Sequence, residues 1–151
     1  MCGISIKQER SMELEYDYII AGSGLAGLSL LHRLLLNKEL RSKKILVIDK
    51  LKKEDNDKTW CFWEKGEGLF EPIVHHQWKT LQFFSPEVSK TFELKKYKYK
   101  MIHAGDFYSH ILNHASAFKN VSFKTEAILD MEVNGGNAVL ITDQGQYSGQ
   151  Y

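Results

Sequence analysis

The sequence has no apolar run that could cross a membrane and nothing that resembles a secretory leader. Its longest apolar stretch, residues 25–36, is interrupted by His32 and Arg33 and falls short of the roughly 20 residues that span a bilayer. No apolar core of a signal peptide precedes Tyr16. The sequence therefore predicts neither a membrane-spanning helix nor export by this route.

Cysteine and net charge are also scarce. The two cysteines, Cys2 and Cys61, are far apart and form no CxxC pair, which favours a reducing, cytoplasmic compartment. No basic partner is adjacent to Cys61, so we interpret it as a buried apolar residue and not a nucleophile. With 20 basic and 19 acidic residues the net charge is +1, which gives no bulk field to attract nucleic acid.

What the chain does have is an apolar content of 43% over 151 residues, enough for one globular core. The pattern begins only at Tyr16, and a second methionine, Met12, stands just before it. We therefore expect residues 1–15 to be disordered or extended, and either Met1 or Met12 can be the true start.

The first patterned segment reads as strand, helix, strand. Residues 16–21 form a short apolar run that ends in glycines, as a buried parallel strand does. Apolar residues then recur at spacings of three and four from Leu25 to about Asn37, which predicts a helix. The aliphatic run 45–48, closed by Asp49, predicts a second strand.

A GxGxxG motif lies at the turn between the first strand and the helix. Its residues are Gly22, Ser23, Gly24, Leu25, Ala26 and Gly27. The motif is weak by itself, but here it follows a strand, opens a helix and has an acidic residue about twenty positions on, as in dinucleotide-binding βαβ units. Gly22 would permit the tight turn, Gly24 the approach of a pyrophosphate, and Gly27 close packing of helix on strand.

The acidic residue at the end of the second strand bears on the choice of cofactor. Asp49 would accept hydrogen bonds from the adenosine ribose, which favours FAD or NAD over NADP. The adjacent Lys50 could tolerate a phosphate, so NADP stays open. The motif does not separate FAD from NAD.

The rest of the chain predicts further strands and one more helix. Segments 78–84 and 88–94 flank Ser85-Pro86 and predict a hairpin or two strands of an inserted subdomain. Asp106 is placed to cap a helix that runs to about Phe118. A strand begins at Val121, and segments 127–133, 137–143 and 146–151 predict a three-stranded meander. This continuation is typical of the glutathione-reductase-like FAD domain, by analogy of fold.

The least ordinary stretch is 57–63, where Trp60, Phe62 and Trp63 crowd together. It predicts either a loop anchored by core aromatic rings or an apolar pocket whose rings stabilise a cation. The basic run 95–100 alternates Lys with Tyr and predicts a solvated strand face or a contact with anionic lipid.

No metal site is predicted from the histidines. His110 and His114 have the helical i, i+4 spacing, but the residues between them include no glutamate. His75 and His76 have no carboxylate or cysteine nearby in the sequence. We interpret both pairs as surface side chains.

Three blocks together resemble the lycopene β-cyclases of carotenoid-making bacteria. The first is residues 17–29 with 45–49 behind it, and the second, 57–63, is similar to that family's Asp-Arg-Thr-Trp-x-Phe-Trp block, with Lys58 in place of arginine. The third and weakest is 99–102 with 106–108. The first block occurs in many flavoproteins, whereas the second is much more specific.

The resemblance implies cyclisation of the ends of lycopene, or a related linear carotene, to β-ionone rings without net oxidation. It implies reduced FAD at Gly22, Gly24, Gly27 and Asp49, NAD(P)H as reductant, and Trp60, Phe62 and Trp63 as pocket rings. It also implies peripheral attachment to the inner face of the cytoplasmic membrane. That family's acidic catalytic motif lies beyond the equivalent of Tyr151, so no catalytic residue is assigned in this chain.

The fold class expected is α/β, a Rossmann-like FAD-binding βαβ domain with a β-meander and part of an inserted substrate subdomain. Because the chain stops inside an alternating strand, we expect residues 16–151 to be an incomplete FAD-binding domain, with 60–100 as the start of the insertion. Two alternatives remain: a flavin monooxygenase or polyprenyl reductase of the same fold, and a non-catalytic nucleotide-binding module.

Overall fold

The computed structural model describes residues 15–53 and 56–151, so nearly all of the N-terminal segment 1–15 lies outside the described residues. The chain forms two compact units: the described residues up to Lys52 together with Ala115–Tyr151, and Lys53–His114. The helices are α1 (Leu25–Leu36) and α2 (Ala104–Ala115). The strands are β1 (Glu15–Tyr16), β2 (Tyr18–Ala21), β3 (Ile45–Asp49), β4 (Thr59–Glu64), β5 (His76–Trp78), β6 (Thr80–Phe84), β7 (Ser89–Glu93), β8 (Lys98–His103), β9 (Val121–Thr125), β10 (Ile128–Asn134), β11 (Asn137–Thr142) and β12 (Gln146–Gly149).

The first unit contains a three-stranded parallel sheet in the order β2-β3-β9. Residues 45–48 of the central strand are all buried, as a continuous aliphatic run requires when both faces of a strand are covered. The first predicted strand is divided at Asp17, whose carboxylate accepts hydrogen bonds from the Lys44 backbone N–H at 2.7 Å and from Lys43 Nζ at 3.3 Å. The predicted strand–helix–strand order is confirmed.

Helix α1 follows the predicted periodicity. Leu28, Leu31, Leu34 and Leu35 are buried, whereas Leu30 and Leu36 are exposed. Spacings of three and four residues thus place the apolar stripe on one face of the helix.

The predicted meander is also confirmed. Strands β10, β11 and β12 pair antiparallel, and β12 pairs parallel with β1 in a four-stranded sheet. Gly135 and Gly136 have φ of +59° and +87° at the first turn, a conformation that glycine adopts without steric cost. Leu140 and Tyr147 of this sheet pack with Leu46 and Ile48 in one buried cluster.

The second unit is antiparallel. β8 lies between β4 and β5, and β6 pairs with β7 as the predicted hairpin. The alternative that placed the aromatic stretch in a loop is wrong: residues 59–64 form β4, with Trp60 opposite Ile102 and Trp63 opposite Tyr99. A strand suits this stretch because aromatic residues favour the pleated surface.

Two further expectations are corrected in this unit. α2 begins at Ala104, so Asp106 lies in the first turn and not at the cap, and the helix ends at Ala115, short of Phe118. The lysines of the basic run are not all solvated, because Lys100 on β8 is only 1% exposed. Strand pairing on both sides of β8 leaves this side chain no path to solvent.

The buried Lys100 ammonium is fully paired. Nζ donates hydrogen bonds to Glu64 Oε2 at 2.9 Å, to the Gly66 carbonyl at 2.7 Å and to Glu71 Oε2. Burial lowers the pKa of Lys100, but these carboxylate contacts raise it more, so it lies above its usual value. The hydrogen bond from Lys100 holds the pKa of Glu71 below its usual value.

No helix among the described residues has the length and apolarity that crossing a bilayer demands.

We predict that Lys100→Ala destabilises the protein by roughly 3 kcal/mol, because removal of one partner leaves buried carboxylates unpaired. Urea unfolding at pH 7 measures this. Lys95→Ala, an exposed lysine just before the same strand, is the matched control and should change stability by less than about 0.5 kcal/mol. Equal losses in the two variants would contradict the buried pairing.

The same ion pair predicts a pH dependence. Because the folded-state pKa of Glu71 is depressed from 4.5, its stabilisation is present above that value and is lost as the pH falls through the folded pKa. Lys100→Ala should therefore lose less stability than the unmodified protein below about pH 4.5.

Candidate functional site

The carboxyl edge of the parallel sheet forms the candidate site. β2, β3 and β9 run parallel, so Ala21, Asp49 and Thr125 end at the same edge of the sheet. In open α/β sheets ligands bind outside this edge. The glycine turn, the start of α1 and the residue after β9 all lie here.

Gly22 and Gly27 shape the turn. Gly22 has φ of +104°, a region that side chains disfavour, and its N–H donates to the Ile48 carbonyl at 2.7 Å. A Cβ at Gly27 would lie 2.0 Å from the Gly22 carbonyl oxygen and 3.0 Å from Ile20 Cγ2. The absence of a side chain at Gly27 thus lets α1 begin directly against β2.

Gly24 is different, because the fold itself does not require glycine there. Its φ of −77° and ψ of −169° are an ordinary extended conformation, and a Cβ built on it would meet nothing within 4 Å. Gly24 is the N-cap of α1, and no side chain caps this end of the helix. The start of α1 therefore offers backbone N–H groups beside an open space, an arrangement that suits a diphosphate.

Asp49 is held against the glycine turn by Ser23. Asp49 Oδ2 accepts from the Ser23 backbone N–H at 2.8 Å and from Ser23 Oγ at 3.1 Å, and Oδ1 accepts from the Leu51 N–H at 3.0 Å. These bonds fix the carboxylate where a ribose next to the diphosphate would lie. Sequence reasoning included Ser23 only as a position in the motif; its contact with Asp49 had no sequence signal.

Glu126, directly after β9, is a polar residue of this edge that sequence reasoning missed. It is 5% exposed, and its N–H donates to the Asp49 carbonyl at 3.0 Å. Its carboxylate accepts from Thr142 Oγ1 at 2.7 Å and from the Tyr147 hydroxyl at 2.8 Å. Burial raises the pKa of Glu126, but these bonds lower it more, so it stays below its usual value.

The remaining predicted cofactor residues surround the turn. Leu25 and Ala26 are the first two residues of α1 and are half-buried and exposed, respectively. Lys50 follows β3 and is exposed.

The aromatic block belongs to the second unit, where β4 separates its rings. Trp60 and Phe62 share one half-buried face, and Trp60 makes edge contacts with Phe107 and Tyr108 at centroid distances of 5.3 and 5.8 Å. Trp63 lies on the other face, tilted against Tyr99 at 4.9 Å. Two of the three predicted rings thus share a face, and Trp63 does not join them.

Cys61 alternates with these rings and is exposed, which corrects the expectation of a buried apolar residue. The alternation of side chains along a strand places it on the face opposite Trp60 and Phe62.

The histidine pairs are arranged differently from the sequence pattern. His110 and His114 lie on α2, and His76 packs its ring on Trp78 at 4.7 Å. His75 instead faces His103, with ring centroids 3.8 Å apart. The sequence gave no indication of this pair, because 28 positions separate the two residues.

This arrangement defines a class of protein: an α/β fold of the Rossmann-like type found in FAD- and NAD(P)-binding oxidoreductases. One similar solved structure is PqsL, a probable FAD-dependent monooxygenase from Pseudomonas aeruginosa, with a TM-score of 0.65, 11% identity, and coverage of 90% of this chain and 41% of that one. Another is NikD, an unusual amino acid oxidase essential for nikkomycin biosynthesis, with a TM-score of 0.59, 11% identity, and coverage of 92% and 50%. The chain thus spans half or less of the length of these proteins.

The family model for lycopene cyclase protein matches residues 17–147. The chain belongs to this family. A comparison with curated individual proteins finds no significant match.

Proposed function

We propose that the protein is a lycopene β-cyclase, which closes the ends of lycopene to β-ionone rings and yields β-carotene without net oxidation. The observation that carries this proposal is the family match over residues 17–147, which includes both the glycine turn and the aromatic block. The fold alone would not separate a cyclase from a redox enzyme.

We propose that FAD binds at the carboxyl edge of the parallel sheet. The open space at Gly24 fits the pyrophosphate, and the carboxylate of Asp49 fits the adenosine ribose. When bound and reduced, with NAD(P)H as reductant, the flavin would supply electron density or a proton at the reacting polyene end. The chain's own part is to bind the diphosphate with the first N–H groups of α1 and to orient the ribose.

The second unit, residues 53–114, is proposed as the beginning of the substrate domain. Protonation of a terminal double bond of the polyene creates a tertiary carbocation on which the chain closes. Trp60 is fixed by edge contacts with Phe107 and Tyr108, so its orientation is set before substrate arrives. Ring faces held in this way stabilise a cation by cation–π attraction and exclude water that would quench it.

The alternative is an FAD-dependent monooxygenase or polyprenyl reductase. The similarity to PqsL is compatible with this alternative, and the product of the reaction distinguishes it from the cyclase.

We predict that Gly24→Val abolishes FAD binding but leaves the protein folded, because valine accepts the extended backbone at this position while its branched side chain fills the pyrophosphate site. Gly27→Ala is the contrast and should lose stability as well, since its Cβ would lie 2.0 Å from a carbonyl oxygen. Flavin content and thermal unfolding measure the two effects. Full flavin content in Gly24→Val would reject the site.

Asp49→Asn tests the ribose contact. The amide keeps one acceptor oxygen but loses the charge, so FAD affinity should fall by roughly 1 to 3 kcal/mol. Fluorescence titration of apoprotein with FAD provides the measurement, and an unchanged affinity would remove Asp49 from the proposed site.

With lycopene under anaerobic, flavin-reducing conditions, the protein should form a cyclic isomer of identical mass and consume no stoichiometric reductant. Mass spectrometry of the product is decisive. A gain of two hydrogens or of one oxygen would establish the reductase or the monooxygenase instead.

The rings that face the cation can then be identified. Trp60→Leu should lower turnover by about 0.5 to 2 kcal/mol with little effect on substrate binding. Trp63→Leu, on the opposite face of β4, is the matched control. Equal losses in both variants, or a loss of stability with unchanged turnover, would assign these rings to packing.

We further propose that the protein lies peripherally on the inner face of the cytoplasmic membrane, where lycopene is dissolved. Phe83 and Phe84 are 57% and 68% exposed near the tip of the β6–β7 hairpin, and Lys95 and Lys96 are exposed close by in sequence. An apolar tip beside basic residues suits an anionic lipid surface.

Phe83→Ser/Phe84→Ser should reduce co-sedimentation with vesicles that contain phosphatidylglycerol, whereas Lys95→Ala/Lys96→Ala should reduce it only at low salt. If the phenylalanine variant binds as well as the unmodified protein, the hairpin is not the membrane contact.

A further inference from the structure

We propose that His75, His103 and Asp106 form a binding site for a divalent first-row transition-metal ion such as Zn²⁺. One donor atom from each of the three residues lies within 4.8 Å of the others. Two imidazoles and a carboxylate are a donor set that binds zinc and, with open positions, ferrous iron. The site belongs wholly to the second unit and is independent of the proposed cyclase reaction.

The distance between His103 and Asp106 distinguishes a metal pair from a simple hydrogen bond. His103 Nδ1 and Asp106 Oδ2 are 3.9 Å apart, which is too long for a hydrogen bond. Two ligand atoms bound to one tetrahedral zinc ion at about 2.1 Å lie roughly 3.4 Å from each other. The observed separation is close to that value, so a small side-chain rotation would complete the coordination.

The two imidazole rings are also arranged for coordination. Their planes are tilted by 30° at a centroid distance of 3.8 Å. Two imidazolium cations would repel in this position, whereas the neutral rings that bind metals can share it.

The backbone at each ligand is held in place. The His75 N–H donates to the Met101 carbonyl of β8 at 2.9 Å, and His103 is the last residue of that strand. The start of α2, which carries Asp106, is fixed by hydrogen bonds from the Ala104 N–H to the Lys58 carbonyl at 2.9 Å and from the Gly105 N–H to Asn56 Oδ1 at 3.1 Å. Ligands on fixed elements lose little freedom when an ion binds.

The site is accessible to an ion from solvent. Asp106 is 59% exposed and His103 27%, and His75 and Asp106 line a surface crevice together with His110. Water would occupy the remaining coordination positions, as it does in open zinc sites. A bound ion would cross-link the approach to β5, the end of β8 and the first turn of α2.

The test is titration of the tag-free, chelator-treated protein with Co²⁺, a spectroscopic substitute for Zn²⁺, followed by competition with Zn²⁺. We expect one equivalent to bind with the visible absorption of a low-symmetry site and to be displaced by Zn²⁺. An anaerobic titration with Fe²⁺ separates a preference for iron from one for zinc.

His103→Ala should weaken Co²⁺ binding by roughly 100-fold or more, because loss of a ligand exceeds the 10- to 100-fold effect of removing an outer partner. Asp106→Asn should weaken it by at least about tenfold. The matched control is His76→Gln, the adjacent histidine whose ring packs on Trp78, and it should bind as the unmodified protein does.

Zinc should also raise the unfolding temperature of the unmodified protein and of His76→Gln but not of His103→Ala. This readout does not depend on flavin or on catalysis, so its result is separate from that of the proposed function. Binding that is absent at millimolar Co²⁺, or that is equal in all variants, would overturn the proposal.

Discussion

The contact between α1 and the turn after β2 is the constraint on which the candidate site depends. Because Gly27 has no side chain, the first turn of α1 rests against the Gly22 carbonyl, where a Cβ would come within 2.0 Å. The start of the helix is thereby placed at the carboxyl edge of the parallel sheet. Parallel pairing of β3 brings Asp49 to the same edge, and Ser23 fastens its carboxylate to the turn. A bulkier residue at Gly27 would displace the helix, and the N–H groups and the carboxylate would no longer face one ligand.

Each unit buries one charged side chain, and the two are neutralised in different ways. Lys100 has two carboxylates and a carbonyl as acceptors, so an ammonium in the second unit is matched by opposite charge. Glu126 in the first unit is stabilised chiefly by hydroxyl donors, from Thr142 and Tyr147, with Lys124 Nζ at 3.4 Å. Hydrogen bonds to a carboxylate keep it ionised without a close ion pair. Glu126 therefore ties the meander to the parallel sheet, because its donors lie on β11 and β12.

The sequence predicted what depends on local periodicity and missed what depends on tertiary contacts. The spacing of Leu28, Leu31 and Leu35 was sufficient for α1, and the aliphatic run 45–48 for β3. The burial of Lys100 and of Glu126 could not be predicted, because their partners lie at least 16 positions away in the sequence. The aromatic block was ambiguous for a related reason: three large rings in four positions fit a loop or a strand equally, and only pairing with β8 decides between them.

The three glycines of the motif carry unequal information about function. A pattern match treats them alike, yet the positive φ at Gly22 and the close contact at Gly27 are requirements of the turn itself, which would hold whether or not a ligand binds. At Gly24 neither the backbone conformation nor the surrounding atoms exclude a side chain. Selection for glycine at that position must therefore come from outside the described fold, and a ligand backbone that approaches the start of α1 is the physical reason that remains. Among the motif residues, the argument for a bound dinucleotide thus rests on Gly24.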